Sequence, residues 1–153
     1  MQRSIAVSRY KRPESVLVVV YNTNGEVLLL RRIQPQHFWQ SVTGSLGWGE
    51  SPLQAARREL YEETGILAGS LLQDLRHRES FPIVPPWRSR YAPDARYNQE
   101  HWFACQVAGR RLIRLRPTEH SAYRWMPAGR GSQLATSWTN QKAINLLFSA
   151  SLA

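Results

Sequence analysis

The sequence predicts an α/β layer fold, because strand-like segments lie on both sides of a central amphipathic helix and a second helix closes the chain. Residues 15–21 are apolar and β-branched, as buried strands are. Residues 52–64 carry both a start and a stop signal for a helix, and residues 137–149 have the pattern of a closing helix. A chain of 153 residues can build one core, so we expect a single domain over residues 1–153.

The remaining elements follow from local patterns. The Asn24-Gly25 pair predicts a turn between the first strand and a returning strand. Residues 81–95 are rich in Pro and Arg, which favours a long loop or an irregular hairpin. The other predicted strands cover residues 26–32, 39–42, 71–79, 99–107, 111–116 and 121–126.

The central helix has well-defined end signals. Ser51 suits the N-cap, Pro52 suits the first helical position, and Gln54 completes a capping-box pattern with Ser51. Gly65 is placed to end the helix in a left-handed conformation. The helix is therefore expected to span residues 52–64.

The faces of this helix follow from its period. Leu53, Ala56 and Leu60 are spaced to share one buried stripe. Glu59 and Glu63 lie four residues apart and meet on another face. Two neighbouring carboxylates repel unless a cation lies between them, and a divalent ion such as Mg²⁺ prefers such oxygen ligands.

Two further acidic residues border this face. Arg58 and Glu62 are four apart, so an ion pair is expected, either orienting Glu62 toward a metal or holding the helix face together. Glu50 lies just before the helix and can turn toward the same site. Phosphates are the usual partners of protein-bound Mg²⁺, which suggests a phosphorylated substrate.

Residues 44–66 read G-x5-E-x7-R-E-L-x-E-E-x-G-I, and this segment resembles the Nudix box of the Nudix hydrolases. The resemblance implies an α/β/α sandwich with a mixed central sheet, and a hydrolase that depends on Mg²⁺, with Mn²⁺ as an alternative. Flanking segments, at residues 10–13, 38–45, 90–93, 118–120 and 137–140, are similar to the bacterial dihydroneopterin triphosphate diphosphatases of folate biosynthesis. That similarity implies hydrolysis of dihydroneopterin triphosphate to the monophosphate and pyrophosphate.

The same resemblance implies the site residues. The metal ligands would be Glu59, Glu63 and Glu119, and the catalytic carboxylates Glu62, Glu63 and Glu119. Strand alternation lets only one of Arg31 and Arg32 face the site. Arg31 is favoured, because it matches a substrate-contacting position of the similar proteins. Ser137 is equally well explained as a helix N-cap. The implied substrate-binding residues are Lys11, Arg31, Thr43, Phe81, Pro82, Ile83, Val84 and Ser137.

Charge and composition narrow the partners. The net charge is +9, almost entirely from arginine, and it favours a small phosphorylated ligand. Nucleic acid is not expected as the main partner, because the charges are spread along the chain without a recognised motif. No signal peptide or membrane span is evident, and the single Cys105 is expected to be buried, so a cytoplasmic location is expected. The sequence leaves the oligomeric state open.

Two other functions remain open at this point. One is a diphosphatase acting on nucleoside triphosphates such as dATP or 8-oxo-dGTP, which would use the same metal chemistry on another ring. The other is a non-catalytic Nudix module that binds a nucleotide or RNA. Intact helix glutamates favour catalysis over the second alternative.

Overall fold

The computed structural model describes residues 9–152, with side chains described as far as residue 149. Seven strands and three α-helices are found in this part of the chain. In chain order they are β1 (Glu14–Asn22), β2 (Glu26–Arg32), β3 (Trp39–Gln40), β4 (Val42–Ser45), α1 (Pro52–Thr64), β5 (Leu72–Pro82), β6 (Tyr97–Val107), β7 (His120–Pro127), α2 (Ala128–Leu134) and α3 (Trp138–Leu152). Short 3₁₀ turns cover Gly69–Leu71 and Arg88–Arg90.

One mixed sheet organises these strands. Its main path runs β3-β2-β1-β6-β5, while β4 pairs with β1 and β7 pairs with β2. The parallel pair is β1 with β6, in a register that runs from Glu14 opposite Gln99 to Asn22 opposite Val107. The other pairs in the described chain are antiparallel. The expected mixed sheet is confirmed.

Alternate residues of β1 enter two different cores. Val16 and Val18 belong to the cluster on the α1 side of the sheet, with Leu60 of the helix. Leu17 and Val19 belong to the cluster on the opposite face, with Ile144 of α3. Because side chains alternate along a strand, a run that is apolar at every position is required to fill both faces. The α/β/α sandwich follows directly from this two-sided burial.

Helix α1 has the expected ends. Ser51 and Gln54 form a reciprocal capping box, and Gly65 adopts a left-handed conformation at φ 79°. The buried stripe differs in one position from the prediction: Leu53 is 39% exposed, whereas Ala55 is buried beside Ala56 and Leu60. Leu53 lies in the first turn of the helix, and its side chain remains at the surface.

Three local predictions need correction. Residues 111–116 form no strand; instead this segment crosses the end of α1, where the Arg114 amide donates to the Thr64 carbonyl at 3.0 Å. The Pro-rich segment 81–95 begins inside β5, whose last two residues are Phe81 and Pro82. Helix α2 was not predicted, because its two glycines are poor helix formers. Gly131 is nevertheless required there, since a Cβ would collide with the Val27 side chain.

Two composition-based expectations concern burial and membranes. Cys105 is a free, fully buried thiol in β6, as expected. Burial also raises the pKa of this thiol, which disfavours a nucleophilic role. No helix in the described part of the chain is long and apolar enough to cross a membrane.

Candidate active site

A cleft of about 510 Å³ opens between the sheet, the N-terminal end of α3 and the segment that follows β5. Most of the residues implied by the resemblance lie around it. Those that line it are Lys11, Thr43, Glu59, Glu63, Phe81, Pro82, Ile83, Val84, Glu119 and Ser137. Positions more than 120 residues apart in the chain therefore meet around one cavity.

Two buried carboxylates form the acidic part of the cleft. Glu59 and Glu63 occupy successive turns of α1 and are 9% and 6% exposed. Burial raises the pKa of Glu59 to about 7, and the neighbouring Glu62 adds to this rise while Arg58 opposes it. Burial also raises the pKa of Glu63 to about 9, assisted by the like charges of Glu59 and Glu119. Burial is thus the main cause of both raised pKa values, and of the two carboxylates only Glu59 has an ion-pair partner among the described residues.

Arg58 connects the acidic residues of the box. Its guanidinium donates to Glu50 at 2.8 and 2.9 Å, to Glu59 at 3.0 Å and to Glu62 at 3.2 Å. A further hydrogen bond reaches the Ser45 carbonyl at 3.0 Å and ties the helix to the end of β4. The expected Arg58–Glu62 ion pair is confirmed. Arg58 thereby fixes one oxygen of Glu59 and leaves Glu63 without this cation.

The chemistry of these donors fits a divalent cation. Glu63 Oε1 is buried and has no hydrogen-bond partner within the described residues, although a buried carboxylate oxygen normally has one. A hard cation would bond that oxygen and also stabilise the ionised form of the buried carboxylates, whose pKa values burial raises. As the side chains stand, residues 9–149 contain no group of three or more acidic, His or Cys side chains close enough to hold a metal. Arg58 already bonds Glu59, one of the three implied ligands, so completing the ligand set would require side chains to rotate.

Gly44 allows the sheet to approach the helix carboxylates. It lies in β4, opposite Val16 of β1. A Cβ at this position would overlap the carboxyl group of Glu59. The absence of a side chain at residue 44 therefore creates the space that Glu59 occupies.

Basic side chains line the other parts of the cleft. They are Lys11, Arg32, Arg90 and Arg116. Burial lowers the pKa of Lys11, and the nearby Arg90 lowers it further, while Glu59 and Glu119 raise it. Such a concentration of positive charge is suited to an anionic ligand.

The strand arginine that faces the cleft is Arg32, which corrects the preference for Arg31. Arg31 is exposed and does not line the cavity, whereas Arg32 does. The pairing of β2 with β7 shifts register between these two residues. Arg32 also donates to the Gln34 carbonyl at 2.7 Å, which holds its side chain at the end of the strand. Strand alternation is consistent with one arginine facing the cleft but does not determine which of the two it is.

Two other predicted site residues, Glu62 and Ser137, form hydrogen bonds or ion pairs within the protein, and only Ser137 lines the cleft. Glu62 does not line the cleft; its Oε1 is bonded by Arg58, and Arg116 lies 3.5 Å away. Ser137 lines the cleft and also accepts from the Asn140 amide at 3.1 Å, so the N-cap interpretation is correct as a structural fact.

Sequence reasoning missed the polar residues at the far end of the cleft. Asn98 and Glu100 lie on β6, are 3% and 5% exposed, and line the cavity. Their signal was available in the sequence, because polar residues occupy inward positions of an otherwise buried strand. Gln40 and Asn140 also line the cavity. The Asn140 side chain accepts from the backbone amide of Ser41 at 2.7 Å and donates to its hydroxyl at 2.8 Å, which joins α3 to the sheet.

Comparison with known proteins agrees with this geometry. A family model described as the NUDIX domain matches residues 11–146. The chain belongs to the Nudix family. Members of this family generally use divalent metal ions, in keeping with the acidic part of the cleft.

Individual Nudix proteins are similar over nearly the whole chain. The dihydroneopterin triphosphate diphosphatase of Escherichia coli (strain K12) is 44% identical over 139 residues, covering 88% of this chain and 91% of that protein. The protein of the same name from Haemophilus influenzae is 36% identical over 140 residues, covering 89% and 87%. The solved structure of the E. coli dihydroneopterin triphosphate pyrophosphohydrolase superposes with a TM-score of 0.83 at 42% identity, covering 90% of this chain and 95% of that one.

Proposed function

We propose that this Nudix protein is a diphosphatase that hydrolyses dihydroneopterin triphosphate to dihydroneopterin monophosphate and pyrophosphate. The observation that carries the proposal is a cleft that is lined both by two buried glutamates with raised pKa values and by a set of basic side chains. The 44% identity to a protein with this activity in its name supports the choice of substrate.

The metal in this proposal is Mg²⁺, held by Glu59, Glu63 and Glu119. When bound, it would neutralise phosphate charge and lower the pKa of a coordinated water. The unpartnered Oε1 of Glu63 supports its inclusion in the ligand set. Glu119 lines the same cleft, and its negative charge contributes to the raised pKa of the Glu63 carboxyl, which supports including it in the ligand set.

The protein side chains have separate tasks in this scheme. Lys11, Arg32, Arg90 and Arg116 would attract and orient the triphosphate, whose negative charge otherwise repels a nucleophile. The proton of the attacking water would pass to a carboxylate, for which Glu62, Glu63 and Glu119 are the candidates. We favour Glu119, because it lines the cleft and is less buried than Glu63, whereas Glu62 lies outside the lining.

A substrate panel at fixed Mg²⁺, read by product mass, tests the proposal. Dihydroneopterin triphosphate is expected to be cleaved to monophosphate and pyrophosphate with a higher kcat/KM than dATP or 8-oxo-dGTP. The Glu63→Gln variant should lose at least about 100-fold in kcat, because it removes charge at nearly constant shape. Equal turnover of all triphosphates would instead favour the nucleotide diphosphatase, and an undiminished Glu63→Gln variant would refute the catalytic assignment.

A further inference from the structure

A buried acid lies in the candidate active site away from the α1 glutamates. Glu100 is in β6 and is 5% exposed, yet it lines the cleft. Its Oε1 accepts a hydrogen bond from Trp102 Nε1 at 3.1 Å, and the Thr139 hydroxyl bonds the same carboxyl. These contacts hold the group between the sheet and α3, so its orientation is fixed before a ligand arrives.

The Glu100 carboxyl lacks a cationic partner. Within residues 9–149, none of the ion pairs involves it. Burial raises the pKa of this group, an effect that the hydrogen bonds from Trp102 and Thr139 only partly oppose. A buried acid without a counter-ion is costly in a purely structural position, which suggests that a ligand completes its bonding.

Asn98 adds an unpartnered acceptor on the same face as Glu100. It lies two residues before Glu100, so the two Cα atoms are roughly 6–7 Å apart on a strand. Asn98 Nδ2 donates to Ser15 Oγ at 2.8 Å, while its Oδ1 is buried without a partner in the described residues. The cleft therefore presents a short row of acceptors and needs a row of donors.

We propose that Glu100 and Asn98 recognise the N–H edge of a 2-amino-4-oxo ring, the edge that dihydroneopterin shares with guanine. The ring N3–H and the 2-amino group are adjacent donors, which would bond the Glu100 carboxylate and the Asn98 oxygen. Adenine has a ring acceptor beside its amino group, so it would leave one of these buried groups unpaired. This inference rests on the proposed function and assigns the ring-reading residues of the same site.

The test compares two isosteric variants on three substrates. Glu100→Gln alters the row of acceptors, and Glu79→Gln is its matched control. Glu79 lies opposite Glu100 on β5 but bonds His77 and Lys142 and does not line the cleft. For Glu100→Gln, kcat/KM should fall about 10- to 100-fold with dihydroneopterin triphosphate and with GTP, and less than about 3-fold with ATP. The Glu79→Gln variant should change all three by less than about 3-fold.

An equal loss on all three substrates, or no loss on any, would overturn the assignment. If Glu100→Gln does not fold, the wild-type protein still decides the matter with ITP, which lacks only the 2-amino group of GTP. ITP should be about 10- to 100-fold poorer than GTP, and parity would refute the inference.

Failure of the proposed function can be recognised separately. It would appear as wild-type protein that cleaves dihydroneopterin triphosphate no faster than ATP. Binding of unphosphorylated dihydroneopterin, followed by its fluorescence, tests the ring contact without hydrolysis. Wild-type protein should bind it at least about 10-fold more tightly than Glu100→Gln, and equal affinities would reject the role of Glu100.

Discussion

Replacing Gly44 by alanine should damage the active site more than the fold. The added Cβ would overlap the Glu59 carboxyl group, which is the mobile end of a side chain rather than backbone. The carboxyl can swing away, so we expect the loss of stability to stay near the low end of the cost of overpacking, about 1 kcal/mol. The displaced Glu59 would then leave its proposed ligand position. A displacement of about 1 Å can cost roughly 100-fold in rate.

The matched control is Gly47→Ala, two residues after the end of β4. A Cβ there has its nearest contact at 3.5 Å, to Glu50 Oε1, which is ordinary van der Waals distance. Steady-state kinetics at saturating Mg²⁺ should give about a 100-fold lower kcat for Gly44→Ala and less than about a 3-fold change for Gly47→Ala. The Tm values of the two variants should differ by only about 2–4 °C, which corresponds to a difference of about 1 kcal/mol in the free energy of unfolding. A fully active Gly44→Ala variant, or equal losses in both, would refute the reasoning.

Three further predictions concern charge and packing. The folded-state pKa of Glu63, about 9, is above the ordinary 4.5, so folded protein holds a proton that unfolded protein releases. The unfolding free energy of the metal-free protein should therefore fall as pH rises from about 4.5 to about 9. Denaturant titrations at several pH values should show a weaker pH dependence for Glu63→Gln, and an identical pH dependence in both proteins would contradict this prediction. Arg58→Met should cost about 1–2 kcal/mol by removing the counter-charge of the box, and the exposed Arg57→Met should cost less than about 0.5 kcal/mol. Asn140→Ala should lower the free energy of unfolding by about 2–3 kcal/mol in chemical denaturation, because it removes two buried hydrogen bonds, whereas the exposed Asn145→Ala should be near neutral. Equal effects of Arg58→Met and Arg57→Met, or of Asn140→Ala and Asn145→Ala, would contradict the stabilising role of these contacts.

The parts of the fold that sequence reasoning predicted are those controlled by local chemistry. The ends of α1 follow from Ser51, Gln54 and Gly65, which act within a few residues of the cap. The two-sided burial of β1 follows from its uninterrupted apolar run. Such signals need no knowledge of distant residues, so the sequence predicts them well.

The errors occur where distant contacts override local pattern. Residues 111–116 alternate like a strand, but β2 is already flanked by β1, β3 and β7, and the segment instead bonds the end of α1. The choice between Arg31 and Arg32 depended on a register shift against β7, which lies far along the chain at His120–Pro127. Glu100 was missed because its surroundings depend on α3, which brings Thr139 to it.

The parallel contact between β1 and β6 has a consequence for synthesis. Residues 14–22 emerge from the ribosome well before residues 97–107, yet each strand is the other's neighbour at the centre of the sheet. A nascent or truncated chain that ends before residue 97 would expose one whole edge of an apolar strand that includes Val16–Val20. Such an open edge invites pairing with other chains. Fragments lacking β6 should therefore aggregate, whereas a chain that extends past residue 107 can already close the centre of the sheet.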